Sequence, residues 1–200
     1  VGQPSSTRLL ADRLAAATSA ALGGDAAVET IELRDHAHAM ADAALTGFPS
    51  GTFRAAVETV RNAGGLIAVT PIFNASYSGL FKTFFDVLER DALDGKPVLL
   101  GATGGTARHS LAIDYAMRPL FAHLCAAVVP TAVYAASEDW GGGTLAVGTG
   151  VLADGADPLA ERVTRAAGEL AALMNDRPVQ AKADPYDDPV PFEDLLAGGH

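Results

Sequence analysis

The residues best suited to meet a small molecule lie between Pro71 and Gly79, where Asn74, Ser76, Tyr77 and Ser78 follow Ile72 and Phe73. They offer an amide, hydroxyls, backbone N–H groups and two aromatic faces. The stretch holds no acid, no base and no metal ligand. That set suits a flat heterocycle with hydrogen-bonding edges better than it suits hydrolysis. A plain strand-to-helix turn with serines at the helix start fits the same spacing equally well.

Two further clusters are of the same neutral kind. Thr103-Gly104-Gly105-Thr106 has paired glycines, which let a backbone approach a planar ring closely. Arg108 and His109 flank it. His109 either donates to a ligand or faces solvent in a first helical turn, and spacing does not separate the two. Ser5, Ser6 and Thr7 stand ahead of Arg8 at the start of an apolar-periodic segment. Helix-start N–H groups lack partners and the helix dipole favours anions, so this cluster suits a terminal phosphate. N-capping by serine explains the same residues.

The elements that must position these clusters follow from hydrophobic periodicity. Leu66-Ile67-Ala68-Val69, bounded by Gly64-Gly65, reads as a short buried strand. Pro71 has no N–H for a ladder, so the strand is expected to stop there. Leu80, Phe81, Phe84, Phe85 and Leu88 recur at helical spacing. Strand, turn and helix in that order place Pro71–Gly79 at the carboxyl end of a parallel sheet, where ligands bind.

Pro97–Ala102 gives the next strand, followed by a helix from about Ala107 to Ala126 that kinks upstream of Pro119. Ala127–Val129 and Thr131–Tyr134 form a last strand region interrupted by Pro130. Leu10, Leu14, Ala17 and Ala21 mark a first helix, and the alternating Ala27–Leu33 a strand. Arg34–Ser50 reads as a polar, Ala-rich connection. His36 and His38 within it lack a third ligand, so a solvated loop is expected there. Phe53, Val57 and Val60 mark a helix that stops near Ala63-Gly64-Gly65. Ser137–Gly141 opens a loop at the ligand end. Gly148–Ala153 fits G-x-G-x-x-A, but no helix opens on it, and a hairpin or flap is expected. Leu159, Val163, Ala166, Leu170 and Leu173 make a final helix. The acidic, Pro-rich residues 176–200 read as a poorly packing tail behind one domain, 1–175.

Composition narrows the partners. With 49% hydrophobic residues over 200 positions there is room for a real core. A net charge of −10 argues against nucleic acid and gives no long-range pull on an anionic nucleotide, so phosphate binding must be local. No run is long enough to span a bilayer, and the opening residues do not read as a signal peptide. The lone Cys125 excludes an intrachain disulfide and is expected in the core. A cytoplasmic setting is the expectation.

The stretch T-P-I-F-N-A-S-Y-S-G-L-F-K-T-F-F-D, Thr70–Asp86, resembles the flavin loop of the NADPH-dependent FMN reductases, a flavodoxin-like family. It looks most like the reductase partners of two-component flavin monooxygenases. The likeness continues through Leu93-Asp94-Gly95-Lys96-Pro97-Val98, Ala102–Thr106 and Leu111–Leu120, and covers roughly Gln3 to Val133. It implies an α/β three-layer sandwich with a parallel sheet of order 2-1-3-4-5. Family members carry an apolar strand ahead of the opening loop, which here would precede Val1. Without it, strands two and three would each lack a neighbour along one edge.

The resemblance also implies cofactors and roles. FMN and NADPH (or NADH) are implied, with hydride passing from nicotinamide to flavin N5 and no protein acid or base required. Ser5, Ser6, Thr7 and Arg8 would hold the FMN phosphate. Pro71, Ile72, Phe73, Asn74, Ser76, Tyr77, Ser78 and Gly79 would line one wall of the pocket, with Thr103, Gly104, Gly105, Thr106 and His109 opposite. Reduced FMN would pass to a partner such as a monooxygenase. Asp114-Tyr115-Ala116 resembles a segment that carries a π-helical insertion at a subunit interface. An irregular turn near Tyr115 and a homodimer or homotetramer through the 107–126 helix are therefore expected. Two alternatives stay open: a quinone, azo or metal-ion reductase with bound FMN, and a non-catalytic flavodoxin-type electron carrier. The uncharged Thr103–Thr106 loop weighs against the carrier.

Overall fold

The computed structural model describes residues 5–89, 91–140 and 157–176. In chain order the helices are α1 (Ser6–Ala21), α2 (Ala37–Thr46), α3 (Gly51–Asn62), α4 (Gly79–Val87), α5 (Arg118–His123) and α6 (Pro158–Asn175). The strands are β1 (Leu66–Phe73), β2 (Ser76–Tyr77), β3 (Pro97–Gly104), β4 (Ala127–Val128) and β5 (Val133–Ala136). β3 is buried from Pro97 to Thr103, which explains its unbroken apolar run. β1 pairs parallel with it on one side, while β4 and β5 pair parallel with it on the other.

Side chains alternate across this sheet and divide the core in two. Val98, Leu100 and Ala102 face a cluster containing Met40, Phe53, Phe81, Phe85 and Phe121. Leu99 faces the other cluster, with Leu10 and Leu14 of α1 and Leu159, Val163 and Leu170 of α6. α1 and α6 thus cover one face, and α2 to α5 the other, giving three layers. Gly101 is small for a reason: a Cβ there would stand 3.1 Å from Leu14 Cδ1 and 3.2 Å from Val69 Cγ2. Each aromatic on α4 meets another, Phe81–Phe85 at 4.8 Å and Phe85–Phe121 at 4.8 Å between centroids.

Several expectations are corrected. Ala27–Leu33 is not a strand: residues 27–32 carry no assigned element, Ala27–Thr30 are exposed, and Leu33 opens a 3₁₀ turn, Leu33–His36. The physical reason is that, among the described residues, no strand lies beside it to bond. Between residues 26–31 and the outer edge of Leu66–Val69 runs a groove of about 980 Å³, at the place where the order 2-1-3-4-5 seats strand one. Thr18 Oγ1, on this groove, is buried without a partner among the described residues.

Pro71 does not end its strand. β1 continues to Phe73, because a prolyl nitrogen is tolerated on a strand with an open edge, and β2 pairs only with Ile72 and Phe73. Arg34–Thr46 is helical rather than a solvated loop, and only Gly47–Ser50 connects it onward; Met40 is fully buried and His36 lies 5.9 Å from the Phe53 ring. The 107–126 segment is not one continuous helix but a 3₁₀ turn (Ala107–His109), a π-helix (Ile113–Met117) and α5; the π-helix is the irregular turn expected near Tyr115.

Cys125 is exposed, not core. It sits just past α5 with φ 57°, where Cys125 N bonds Ala122 O and Ala126 N bonds Phe121 O. That is a Schellman closure with cysteine at the left-handed position, which turns the side chain outward. Gly148–Ala153 and, beyond Asp176, the 177–200 part of the tail lie outside the described residues.

Candidate functional site

Parallel register brings the predicted loops together. Pro71 of β1 is opposite Thr103 of β3, so the two strands release their loops side by side at the carboxyl edge. α1 reaches the same point from the covering layer: Thr7 Oγ1 is 2.8 Å from Thr103 Oγ1. Ser5–Arg8, Pro71–Gly79 and Thr103–Thr106 therefore form one cluster.

The first loop is a hairpin. Asn74 and Ala75 turn the chain with φ 48° and 65°, and Phe73 pairs with Ser76 and Ile72 with Tyr77. Two positive φ values in a two-residue loop are those of a type I′ turn, which asparagine tolerates and alanine does not favour. Its base is locked by Thr70, which is fully buried. Thr70 Oγ1 accepts from Ser78 N at 3.1 Å and donates to Pro71 O at 3.0 Å. Ser78 Oγ accepts from Phe81 N at 3.3 Å and so caps α4.

Ser78 thus serves the fold through its N–H and its hydroxyl oxygen, which leaves the hydroxyl proton for a ligand. Of the other predicted residues on this wall, Ile72 is buried and Pro71, Ser76 and Tyr77 are half-buried, while Phe73, Asn74 and Gly79 are exposed. Thr70 escaped the sequence reading, because nothing in its spacing marks a threonine as the lock of the hairpin after it.

On the second loop Thr103 is buried and bonded to Thr7, Gly104 is half-buried and Gly105 is exposed. A Cβ on Gly105 would meet nothing within 4 Å, so space above it is open to a ring. Thr106 caps the 3₁₀ turn through Arg108 N at 3.4 Å. Arg108 and His109 are exposed.

At the opening of the chain, Ser5 Oγ accepts from Arg8 N at 3.3 Å and caps α1, with Ser6 as its first residue. Arg8 turns away to Asp12 at 2.7 Å and Glu32 at 2.9 Å. Its pKa is pushed further up, chiefly by the bond to Asp12 and then by that to Glu32. Its charge is compensated by two carboxylates, so the feature here with the chemistry to hold an anion is the helix start with its hydroxyls.

The chemistry of this donor set fits a flavin mononucleotide: neutral hydroxyls and amides on two adjacent loops for the ring edge, an exposed Phe73, and a capped helix start for a phosphate. Among the described residues no group of His, Cys, Asp or Glu could hold a metal ion, and no helix is long and apolar enough to cross a membrane.

Comparison with known proteins agrees with the geometry. Residues 1–141 match the family model described as NADPH-dependent FMN reductase. The chain is 33% identical over 175 residues to an FMN reductase (NADPH) of Pseudomonas aeruginosa, covering 88% of each. It is 33% identical to the NADH-dependent FMN reductase SfnF of Pseudomonas fluorescens, covering 86% of each. Among solved structures, an oxidoreductase from Corynebacterium diphtheriae superposes with a TM-score of 0.79 at 40% identity, over 89% of this chain and 93% of that one. The apo form of an NADH:FMN oxidoreductase, EmoB, gives 0.68 at 28% identity, over 94% of each. With three flavin-compatible loops at one sheet edge and a family match over most of its length, this chain belongs to the NADPH-dependent FMN reductase family.

Proposed function

We infer that the protein is an NAD(P)H-dependent FMN reductase. The observation that carries this is the register of Pro71 against Thr103 together with the Thr7–Thr103 contact, which gathers the three loops at one edge. FMN, when bound, supplies the ring that accepts a hydride from the reduced nicotinamide. The chain binds and orients. Ser76, Tyr77 and Asn74 offer hydrogen bonds from the hairpin, and Gly104 and Gly105 allow the second loop close approach. The α1 start, with Ser5, Ser6 and Thr7, takes the phosphate. Neither loop supplies a carboxylate, in keeping with a transfer that needs no protein acid or base.

The reduced flavin serves a partner such as a monooxygenase, so FMN is substrate as well as cofactor, and a cytoplasmic setting fits the supply of reduced nicotinamide nucleotides. A second copy of the chain packs on the π-helix, where Tyr115 is 80% and Leu111 59% exposed. A groove of about 670 Å³ there, lined by Tyr77, Lys82, Tyr115, Pro119 and His123, adjoins the hairpin. The function is tested by following nicotinamide absorbance with excess FMN. FMN-dependent oxidation is expected. Oxidation that requires a quinone instead, or none at all, would overturn the assignment.

A further inference from the structure

The Thr103–Thr106 loop is held from below by a neighbouring strand. Tyr134 of β5 stands in register with Ala102 of β3, one residue short of the loop. Its side chain is buried in the larger core cluster. Its hydroxyl donates to the Thr106 carbonyl at 2.9 Å. That carbonyl also accepts from His109 N, at a weaker 3.4 Å. A Cβ on Gly104 would stand 2.0 Å from Tyr134 Oη and 3.0 Å from Cζ, so only glycine lets the loop close over the phenol.

Tyr134 is itself anchored. Its carbonyl accepts from Arg162 at 2.7 Å, Arg162 pairs with Asp139 at 2.7 Å, and Asp139 accepts from Ala136 N at 2.8 Å.

The consequence lies in one peptide plane. In a trans peptide the C=O and the next N–H point in opposite directions. With the Thr106 carbonyl turned down to Tyr134, the Ala107 N–H is turned outward, and as the first residue of the 3₁₀ turn it has no partner within that turn. We propose that Tyr134 is a positioning residue that orients the Thr106–Ala107 peptide so that its N–H meets a hydrogen-bond acceptor on the flavin ring. This rests on the flavin-site assignment above.

The test is Tyr134→Phe, which removes the hydroxyl and keeps the ring. FMN and riboflavin Kd values are expected to rise by the same factor, roughly 2- to 10-fold, as for one lost hydrogen bond. KM for FMN should move more than KM for the nicotinamide nucleotide. Gly104→Ala should weaken flavin more severely, and the double variant should regain part of that loss, since Oη is the closest clash. Unchanged flavin Kd values in Tyr134→Phe, with only a lower Tm, would overturn the proposal alone. Wild-type protein that binds neither flavin would overturn the site assignment and this proposal with it.

Discussion

Thr7 Oγ1 and Thr103 Oγ1 lie 2.8 Å apart across 96 positions of sequence, joining the first turn of α1 to the end of β3. Thr103 is buried and Thr7 half-buried, so the bond is partly shielded from water. Valine at either position keeps the branched shape and removes the hydroxyl. In a double-mutant cycle by urea denaturation, Thr7→Val and Thr103→Val are expected to show a coupling of about 1 kcal/mol. Additive losses would show that the two hydroxyls do not hold the loops together.

The same bond constrains phosphate binding. A hydroxyl has one donor proton and two acceptor sites, so Thr7 can donate to a phosphate when Thr103 is the donor between them. Ser5→Ala with Thr7→Ala should weaken FMN far more than riboflavin, which lacks the phosphate. The Ser5 cap makes the comparison necessary, since its loss alone costs about 1 kcal/mol of helix stability. Titration of both ligands by flavin fluorescence separates the effects: equal losses would leave Ser5 as a helix cap and Thr7 as the partner of Thr103 only.

Ala75 carries φ 65° at the hairpin tip, beside Asn74 at 48°. A left-handed alanine is strained by about 1–2 kcal/mol, and glycine is not. Glycine also gains freedom in the unfolded chain, which offsets part of the gain. Ala75→Gly is therefore expected to stabilise the protein by about 0.5–1 kcal/mol. A thermal melt showing no gain would mean the turn is not held in this conformation in solution.

Tyr134 gives a pH signature. Burial first, and Glu138 second, push its phenol pKa above the ordinary value of 10.0. The native state thus favours the neutral phenol that donates to Thr106. Above about pH 10 the unfolded chain releases this proton more readily than the folded one, so stability is fully present below that pH and falls as pH rises through the native pKa. Denaturant midpoints between pH 9 and pH 11 should decline more steeply for wild type than for Tyr134→Phe. Parallel declines would place the alkaline sensitivity elsewhere.

Periodicity made most of the core legible. Leu10 and Leu14, Phe53 with Val57 and Val60, and the Phe81–Leu88 face are buried as their spacing requires. What it missed was set by tertiary partners. Ala27–Leu33 alternates like a strand, but an alternating segment forms a ladder only beside another strand. Ser78 has the composition of a ligand residue, and its spacing does not show that Thr70 and the start of α4 also use its N–H and hydroxyl oxygen. Charge alone marks Arg8 for a phosphate, but Asp12, one turn on, and Glu32, beyond the end of α1, direct it. Cys125 sits in an apolar stretch, but a left-handed helix end reverses its direction.

The π-helix makes the last prediction. Ile113 and Met117 at its ends are buried in the core, and Ala112, Phe121 and Leu124 continue that face. Tyr115, inside the widened turn, and Leu111, just ahead of it, lie on the outer side with 80% and 59% exposure. The segment is fastened where it bends: Arg118 bonds Asp114 at 2.8 Å and Val129 O at 3.0 Å, so the bulge is held against the chain just past β4. A fixed, outward tyrosine beside a groove continuous with the hairpin is suited to meet a second copy, and burial there would also shield Tyr77 at the edge of the flavin site. Tyr115→Arg should therefore lower the mass seen by light scattering to that of a monomer and raise KM for FMN, while leaving the fold intact by circular dichroism. Wild-type protein that is monomeric in dilute solution with full FMN-dependent activity would show that this face needs no partner.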